Sequence, residues 1–119
     1  MLLSDKVVIV SGIGPGLGVK LALEAARQGA TLVIAARNAE RLQQAAADIE
    51  ALGLGTEVLW QATDIADASQ CRTLAAAALE RFGRIDALIN SAFVPGEFSM
   101  ASDANLDDWR QTMEVNFFG

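Results

Sequence analysis

Val7-Val8-Ile9-Val10-Ser11 runs directly into Gly12-Ile13-Gly14-Pro15-Gly16-Leu17-Gly18, and a helical pattern opens near Leu17. No other feature constrains the chain so tightly. A backbone that leaves an apolar, β-branched strand, turns sharply and enters a helix needs angles that glycine adopts freely, and it brings amides within reach of a ligand that side chains would block. The start of the helix adds unpaired N–H groups and about half a positive charge, which suits an anion, above all a pyrophosphate. The spacing is Gly-x-x-x-Gly-x-Gly. Counted from Gly12, Leu17 stands where Gly-x-Gly-x-x-Gly would need its third glycine, and no Gly-Lys-Ser/Thr closes the turn as in a P-loop, Lys20 being the first lysine after it. A ligand-free βα turn is the competing reading of the glycines alone.

The rest of the chain alternates short apolar runs with longer amphipathic ones, the pattern of a parallel sheet covered on both faces. Strands are expected near Val7 to Ser11, Thr31 to Ala36, Glu57 to Ala62 and Ala87 to Ala92, and helices near Leu17 to Gln28, Ala39 to Leu52, Ala68 to Phe82 and from about Leu106 toward Phe118. Asn38 and Asp67 sit where N-caps belong, and Gly29, Gly53 and Gly83 where helices end. Right-handed crossovers then give an α/β, Rossmann-type doubly wound sheet of order 3-2-1-4, whose switch point between strands one and four lies over Gly12 to Gly18. The one irregular stretch, Phe93 to Asn105 with Pro95 and Gly96, follows the C-terminal end of a strand, where such folds bind ligands.

Composition narrows the function classes. The 119 residues are 52% hydrophobic and 20% charged, enough apolar content for one core. A net charge of −6 without a basic cluster argues against nucleic acid and against an anionic membrane surface. No apolar run reaches the length of a membrane span, and Met1-Leu2-Leu3 is followed by Ser4-Asp5-Lys6, so a cytoplasmic protein without signal peptide or anchor is expected. Cys71 is the single cysteine, read as a packing residue; the absence of histidine excludes His-based catalysis and His-ligated metal within the chain, and no metal site is expected.

Four separated motifs, in order along the chain, together resemble those of the short-chain dehydrogenase/reductase family. Ser11-Gly12-(x3)-Gly16-Leu17-Gly18 is similar to its Thr-Gly-x-x-x-Gly-Ile-Gly, Asp64-Ile65 to its Asp-Val after the third strand, Asn90-Ser91-Ala92-Phe93 to its Asn-Asn-Ala-Gly, and Asn116 with Gly119 to its Asn-Val-x-Gly. The resemblance implies cofactor-binding roles for Ser11, Gly12, Gly14, Gly16, Leu17, Gly18, Asp64, Ile65, Asn90 and Ala92. Gly12, Gly14, Gly16 and the Leu17 backbone would surround the pyrophosphate, the Asp64 carboxylate would accept from the adenine amino group, and the Ile65 N–H would donate to an adenine ring nitrogen. A turn or N-cap aspartate is the alternative for Asp64, and a purely structural amide the alternative for Asn90, which would otherwise touch the adenosine ribose. Asn116 would belong to the catalytic tetrad, holding a water of the proton relay through its backbone carbonyl, unless its role is structural alone.

Two residues depart from the pattern: Phe93 replaces the glycine after Asn-x-Ala, and Pro15 stands where many NADP-dependent relatives carry a basic residue and removes one N–H donor. The family's Ser and Tyr-x-x-x-Lys lie beyond Asn-x-x-Gly, and this chain contains no tyrosine. Residues 1–119 are therefore expected to be the dinucleotide-binding part of one domain whose remainder lies outside this chain. The parent would transfer a hydride between NADP(H) and an alcohol/ketone pair, as a homo-oligomer, dimer or tetramer, assembled through helices mostly outside these residues, while the chain alone would be inactive. A non-catalytic dinucleotide-binding or interaction module that assembles with another chain is the alternative. NADP is expected over NAD because Ala36, at the end of strand two, leaves room where an acid would repel a 2′-phosphate, and Arg37 offers a planar charged fork. A solvated Arg37 is the competing reading.

Overall fold

The structure, a computed structural model, describes residues 2–13, 16–92 and 106–115. Gly14, Pro15, the expected loop from Phe93 to Asn105, Asn116, Phe117, Phe118 and Gly119 lie outside the described residues, as does the Trp109 side chain.

The order of elements is β1 (Val7–Ser11), α1 (Leu17–Arg27), β2 (Thr31–Ala36), α2 (Ala39–Glu50), β3 (Val58–Ala62), α3 (Ala68–Phe82), β4 (Ala87–Asn90) and α4 (Leu106–Met113). The four strands form one parallel sheet of order β3-β2-β1-β4, as expected from the sequence. Successive residues of a strand point to opposite faces, and in β1 both faces are buried. Val8 and Val10 join Leu32 and Ile34 of β2 beneath α1 and α2, whereas Val7 and Ile9 join Val33 and Ala35 beneath Leu74 and Ala78 of α3. This two-sided burial is why β1 and β2 are unbroken apolar runs with no polar alternation.

The helices start and stop where local chemistry dictates. The Asn38 side chain accepts from the N–H groups of Glu40 and Arg41, and Asp67 from those of Ser69 and Gln70, so orphan donors of α2 and α3 are satisfied by their caps. Gly83 closes α3 with φ +76. The expected ends of α2 and β4 are each two residues long. Ala51 and Leu52 leave α2 in a turn toward Gly53, and β4 stops at Asn90 because its last register partner on β1 is Ser11.

The topology positions the site. From β1 the chain steps outward through β2 to β3, with α1 and α2 on one face; it then returns across the other face through α3 and sets β4 against the free side of β1. The connections leaving β1 and β3 therefore diverge to opposite faces, opening a crevice at the carboxyl ends of the strands.

Candidate functional site

The glycine turn is fixed to β2 and leans on the chain after β4. The N–H groups of Gly12 and Ile13 both donate to the Ala35 carbonyl, at 2.8 and 3.2 Å. Gly12 has φ +83, and a Cβ there would collide with the backbone N and Cα of Ala92; a Cβ on Gly18 would collide with the Gly12 carbonyl. A Cβ on Gly16 would meet nothing within 4 Å. Two glycines thus permit close packing of backbone on backbone, and the third borders open space. The two strand ends are laced together: the Ser11 hydroxyl donates to Asn90 Oδ1 (2.9 Å), and Ser91 donates to the Ser11 carbonyl through both its N–H (3.0 Å) and its hydroxyl (2.7 Å).

Around this turn lies a cleft of about 730 Å³, within the usual size of small-molecule sites. Its walls are the turn itself at Gly12, Gly16, Leu17 and Gly18, the end of β2 with Arg37, Asn38 and Arg41, the β3–α3 turn at Thr63, Asp64 and Ile65, and Ser91, Ala92 and Val115. Asp64 is the one acid among these lining residues. Among the described residues the guanidinium groups of Arg37 and Arg41 have no ion-pair partner, whereas those of Arg27, Arg84 and Arg110 lie against Glu24, Asp86 and Asp107. One rim of the cleft therefore carries two uncompensated positive charges.

The neighbouring rim, at the end of β3, is a tightly bonded turn held to β2 by the Thr63 N–H on the Ala36 carbonyl (2.8 Å). Asp64 Oδ1 accepts from the Ala66 N–H (2.9 Å), the Asp64 carbonyl from the Asp67 N–H (3.0 Å), and the Asp64 N–H donates to Gln70 Oε1 (2.8 Å). Cys71 Sγ donates to the Ile65 carbonyl (3.4 Å), so the lone cysteine supports this turn from α3. Two groups are left over among the described residues: Asp64 Oδ2, an acceptor, and the Ile65 N–H, a donor. Behind them, bonds from the Ser69 hydroxyl and then the Gln70 N–H hold the Asp67 carboxyl below the usual aspartate range. At the far end of β1, the Arg84 guanidinium and then the Val7 N–H do the same for Asp86.

Of the residues marked from the sequence, Gly12, Gly16, Leu17, Gly18, Arg37, Asp64, Ile65 and Ala92 line the cleft. Ser11 and Asn90 do not; each spends its side chain on the other, which ties β1 to β4. Gly14 and Asn116 fall outside the described residues. Sequence reasoning does not single out Arg41, Thr63, Gln70, Ser91 or Val115. Arg41 falls in the first turn after the expected cap Asn38, close in sequence to Arg37, which could have flagged it, and Gln70 stands three after the cap Asp67, the spacing of a capping box.

The glycine turn at a switch point, with an aspartate at the end of β3, is the arrangement that comparison with known proteins decides. The profile of the short chain dehydrogenase family matches residues 6–119. The chain belongs to that family. Among its members, the 11-beta-hydroxysteroid dehydrogenase A of Sesamum indicum is 36% identical over 116 residues, which are 98% of this chain and 33% of that protein. A xylitol dehydrogenase solved with NAD+ bound superposes with a TM-score of 0.93 at 26% identity, over 99% of this chain and 45% of that one. A metagenomic short-chain oxidoreductase in complex with NADP superposes with a TM-score of 0.88 at 28% identity, over 98% of this chain and 52% of that one. The chain thus spans a third to about half of the lengths of these relatives. No helix among the described residues is long and apolar enough to cross a membrane, and no group of three or more His, Cys, Asp or Glu there could hold a metal ion.

Proposed function

We propose that this chain is the NADP(H)-binding part of a short-chain oxidoreductase that acts on an alcohol/ketone pair. The observation that carries the reading is the pair of unpartnered arginines, Arg37 and Arg41, on a cleft whose glycine turn leaves open space at Gly16. The residues present fit the cofactor. Gly16 and the backbone of the turn border the room a pyrophosphate needs, and the start of α1 favours its charge. Asp64 Oδ2 and the Ile65 N–H form an acceptor beside a donor, complementary to the amino group and ring nitrogen of adenine. Ala36 leaves the ribose end without an acid, and Arg37 supplies a charge-assisted fork for a 2′-phosphate.

When bound, the nicotinamide supplies or accepts the hydride. Residues of this chain bind and orient it: the glycine turn holds the phosphates, the β3–α3 turn the base, and Arg37 the 2′-phosphate. The substrate, the acid–base groups, any oligomeric assembly and a cytoplasmic location belong to the proposal for the whole protein. The 119 residues contain no tyrosine, so they contribute no phenol to protonate a substrate oxygen, and the chain alone is expected to bind cofactor without turnover. A binding module that assembles with another chain is the second reading. NADPH-dependent turnover by the isolated chain would refute both readings of its catalytic role.

Cofactor choice is tested by calorimetric titration of the parent chain and of Arg37→Ala with NADPH and NADH. A hydrogen bond to a charged group contributes about 1.5–3 kcal/mol, so the parent should favour NADPH by about tenfold to a hundredfold and Arg37→Ala should lose most of that margin. Equal or tighter NADH binding by the parent, or NADPH binding unchanged in Arg37→Ala, would overturn the assignment. Ala36→Asp should shift preference toward NADH.

A further inference from the structure

Gln70 stands at the third position of α3 after its cap Asp67, where a capping-box side chain turns back to the cap's own N–H. Here it does something else. The Asp67 N–H is already taken by the Asp64 carbonyl, and Gln70 Oε1 reaches six residues back to accept from the Asp64 N–H at 2.8 Å. Its Nε2 donates to Asp67 Oδ2 at 3.2 Å, so one side-chain amide spans the turn that carries Asp64 and Ile65. With the N–H of Asp64 on Gln70, its carbonyl on Asp67 and its Oδ1 on Ala66, one carboxylate oxygen is left to face a ligand, beside the Ile65 N–H.

We propose that Gln70 is a positioning residue for base recognition: by holding the Asp64 N–H it sets the acceptor–donor pair of Asp64 and Ile65 in register with adenine. The proposal rests on the dinucleotide reading above. Adenine presents an amino donor beside a ring-nitrogen acceptor, and hypoxanthine presents a carbonyl beside an N–H, which reverses both. A fixed pair therefore rejects hypoxanthine, whereas a pair free to rotate loses that selectivity. The fold does not depend on Gln70. Its side chain is exposed, and α3 is anchored to the sheet by Leu74 and Ala78.

The test is calorimetric titration of the full 119-residue chain with NADPH and with deamino-NADPH, its hypoxanthine analogue. The parent should prefer NADPH by about tenfold or more, the worth of one to two hydrogen bonds left unpaired. Gln70→Ala, checked for an unchanged circular dichroism spectrum, should bring that ratio to about twofold while leaving the NADPH-to-NADH ratio unaltered, because the 2′-phosphate rim is untouched. Gln70→Asn, one methylene short, should behave like Gln70→Ala; Gln70→Glu, which keeps an acceptor for the Asp64 N–H but sets a carboxylate against Asp67 Oδ2, should restore part of the preference. A parent-like ratio in Gln70→Ala or Gln70→Asn, or an equal loss of both nucleotides, would overturn the proposal. A parent chain that binds NADPH and its analogue equally would instead overturn the adenine reading of Asp64 and Ile65.

Discussion

Replacing each of the three described glycines of the turn separates backbone packing from ligand binding. In Gly12→Ala the new methyl meets the backbone of Ala92 well inside the 3.0 Å that real Cβ contacts keep, and φ +83 is left-handed. The conformation alone costs an L-residue about 1–2 kcal/mol. Relieving the collision means pushing the chain after β4 outward, which forces overpacking of about 1–3 kcal/mol and strains the Ser91 bonds to the Ser11 carbonyl. The expected loss is about 2–5 kcal/mol, a large share of the 5–15 kcal/mol typical of a domain. Gly18→Ala strikes the Gly12 carbonyl and crowds the Ser91 hydroxyl, and it gains roughly 1 kcal/mol of helix propensity, so its net cost should be about 2 kcal/mol. At Gly16 an added Cβ meets nothing within 4 Å, so Gly16→Val should cost less stability than Gly12→Ala. It should nevertheless weaken NADPH by about a hundredfold, since the branched side chain fills the space given to the pyrophosphate. Urea unfolding followed by circular dichroism, with calorimetric titration on the folded variants, reads both quantities. Gly12→Ala unfolding at the parent's urea midpoint, or Gly16→Val binding NADPH like the parent, would refute the division of roles.

Asn38→Ala should destabilise the chain by about 1 kcal/mol, because the N–H groups of Glu40 and Arg41 lose their acceptor, and a urea series reads the shift. Asp86, held below the usual aspartate range by Arg84 and the Val7 N–H, contributes stability that is complete above the unfolded aspartate pKa of about 4 and is lost as pH falls through its lower folded value. Asp86→Asn should therefore unfold more easily than the parent at pH 7, and the gap between the two should narrow in urea melts taken toward pH 3; a gap independent of pH would contradict the role of the charge.

Much of the fold was legible in the sequence because its signals are local. β1 and β2 are β-branched runs buried on both faces, and they fall at the residues expected of them; Asn38, Asp67 and Gly83 mark helix ends through bonds to their own neighbours. The misplaced ends depend on distant partners: β4 stops at Asn90 because β1 offers no register partner after Ser11, which the residues after Asn90 do not encode. The site divides the same way. The glycines could be marked, but that Gly12 and Gly18 serve packing while Gly16 borders open space follows from where Ala92 and Gly12 itself lie. Asp64 was open between turn residue and ligand acceptor, and one of its oxygens is now accounted for by the Ala66 N–H. Arg41 and Gln70 carry at most a spacing signal in the sequence, because that Arg41 lines the cleft and Gln70 supports its β3–α3 rim depends on the direction in which α2 and α3 leave the sheet.

β1 occupies the middle of the sheet although it is the first strand in the chain, and this fixes an order of assembly. Its β2 side can pair once the first crossover is complete, but its other side waits for β4, and the Ser11–Asn90 bond joins residues 79 apart. Closing so long a stretch is the slow step of a parallel sheet. On a growing polypeptide, β1, β2 and β3 can therefore meet while the glycine turn still lacks the backbone of Ala92 to lean on and the Ser91 hydroxyl to tie it. Among the four strands described, the crevice is complete only once β4 has paired with β1, so a ligand that requires the crevice favours that pairing by mass action.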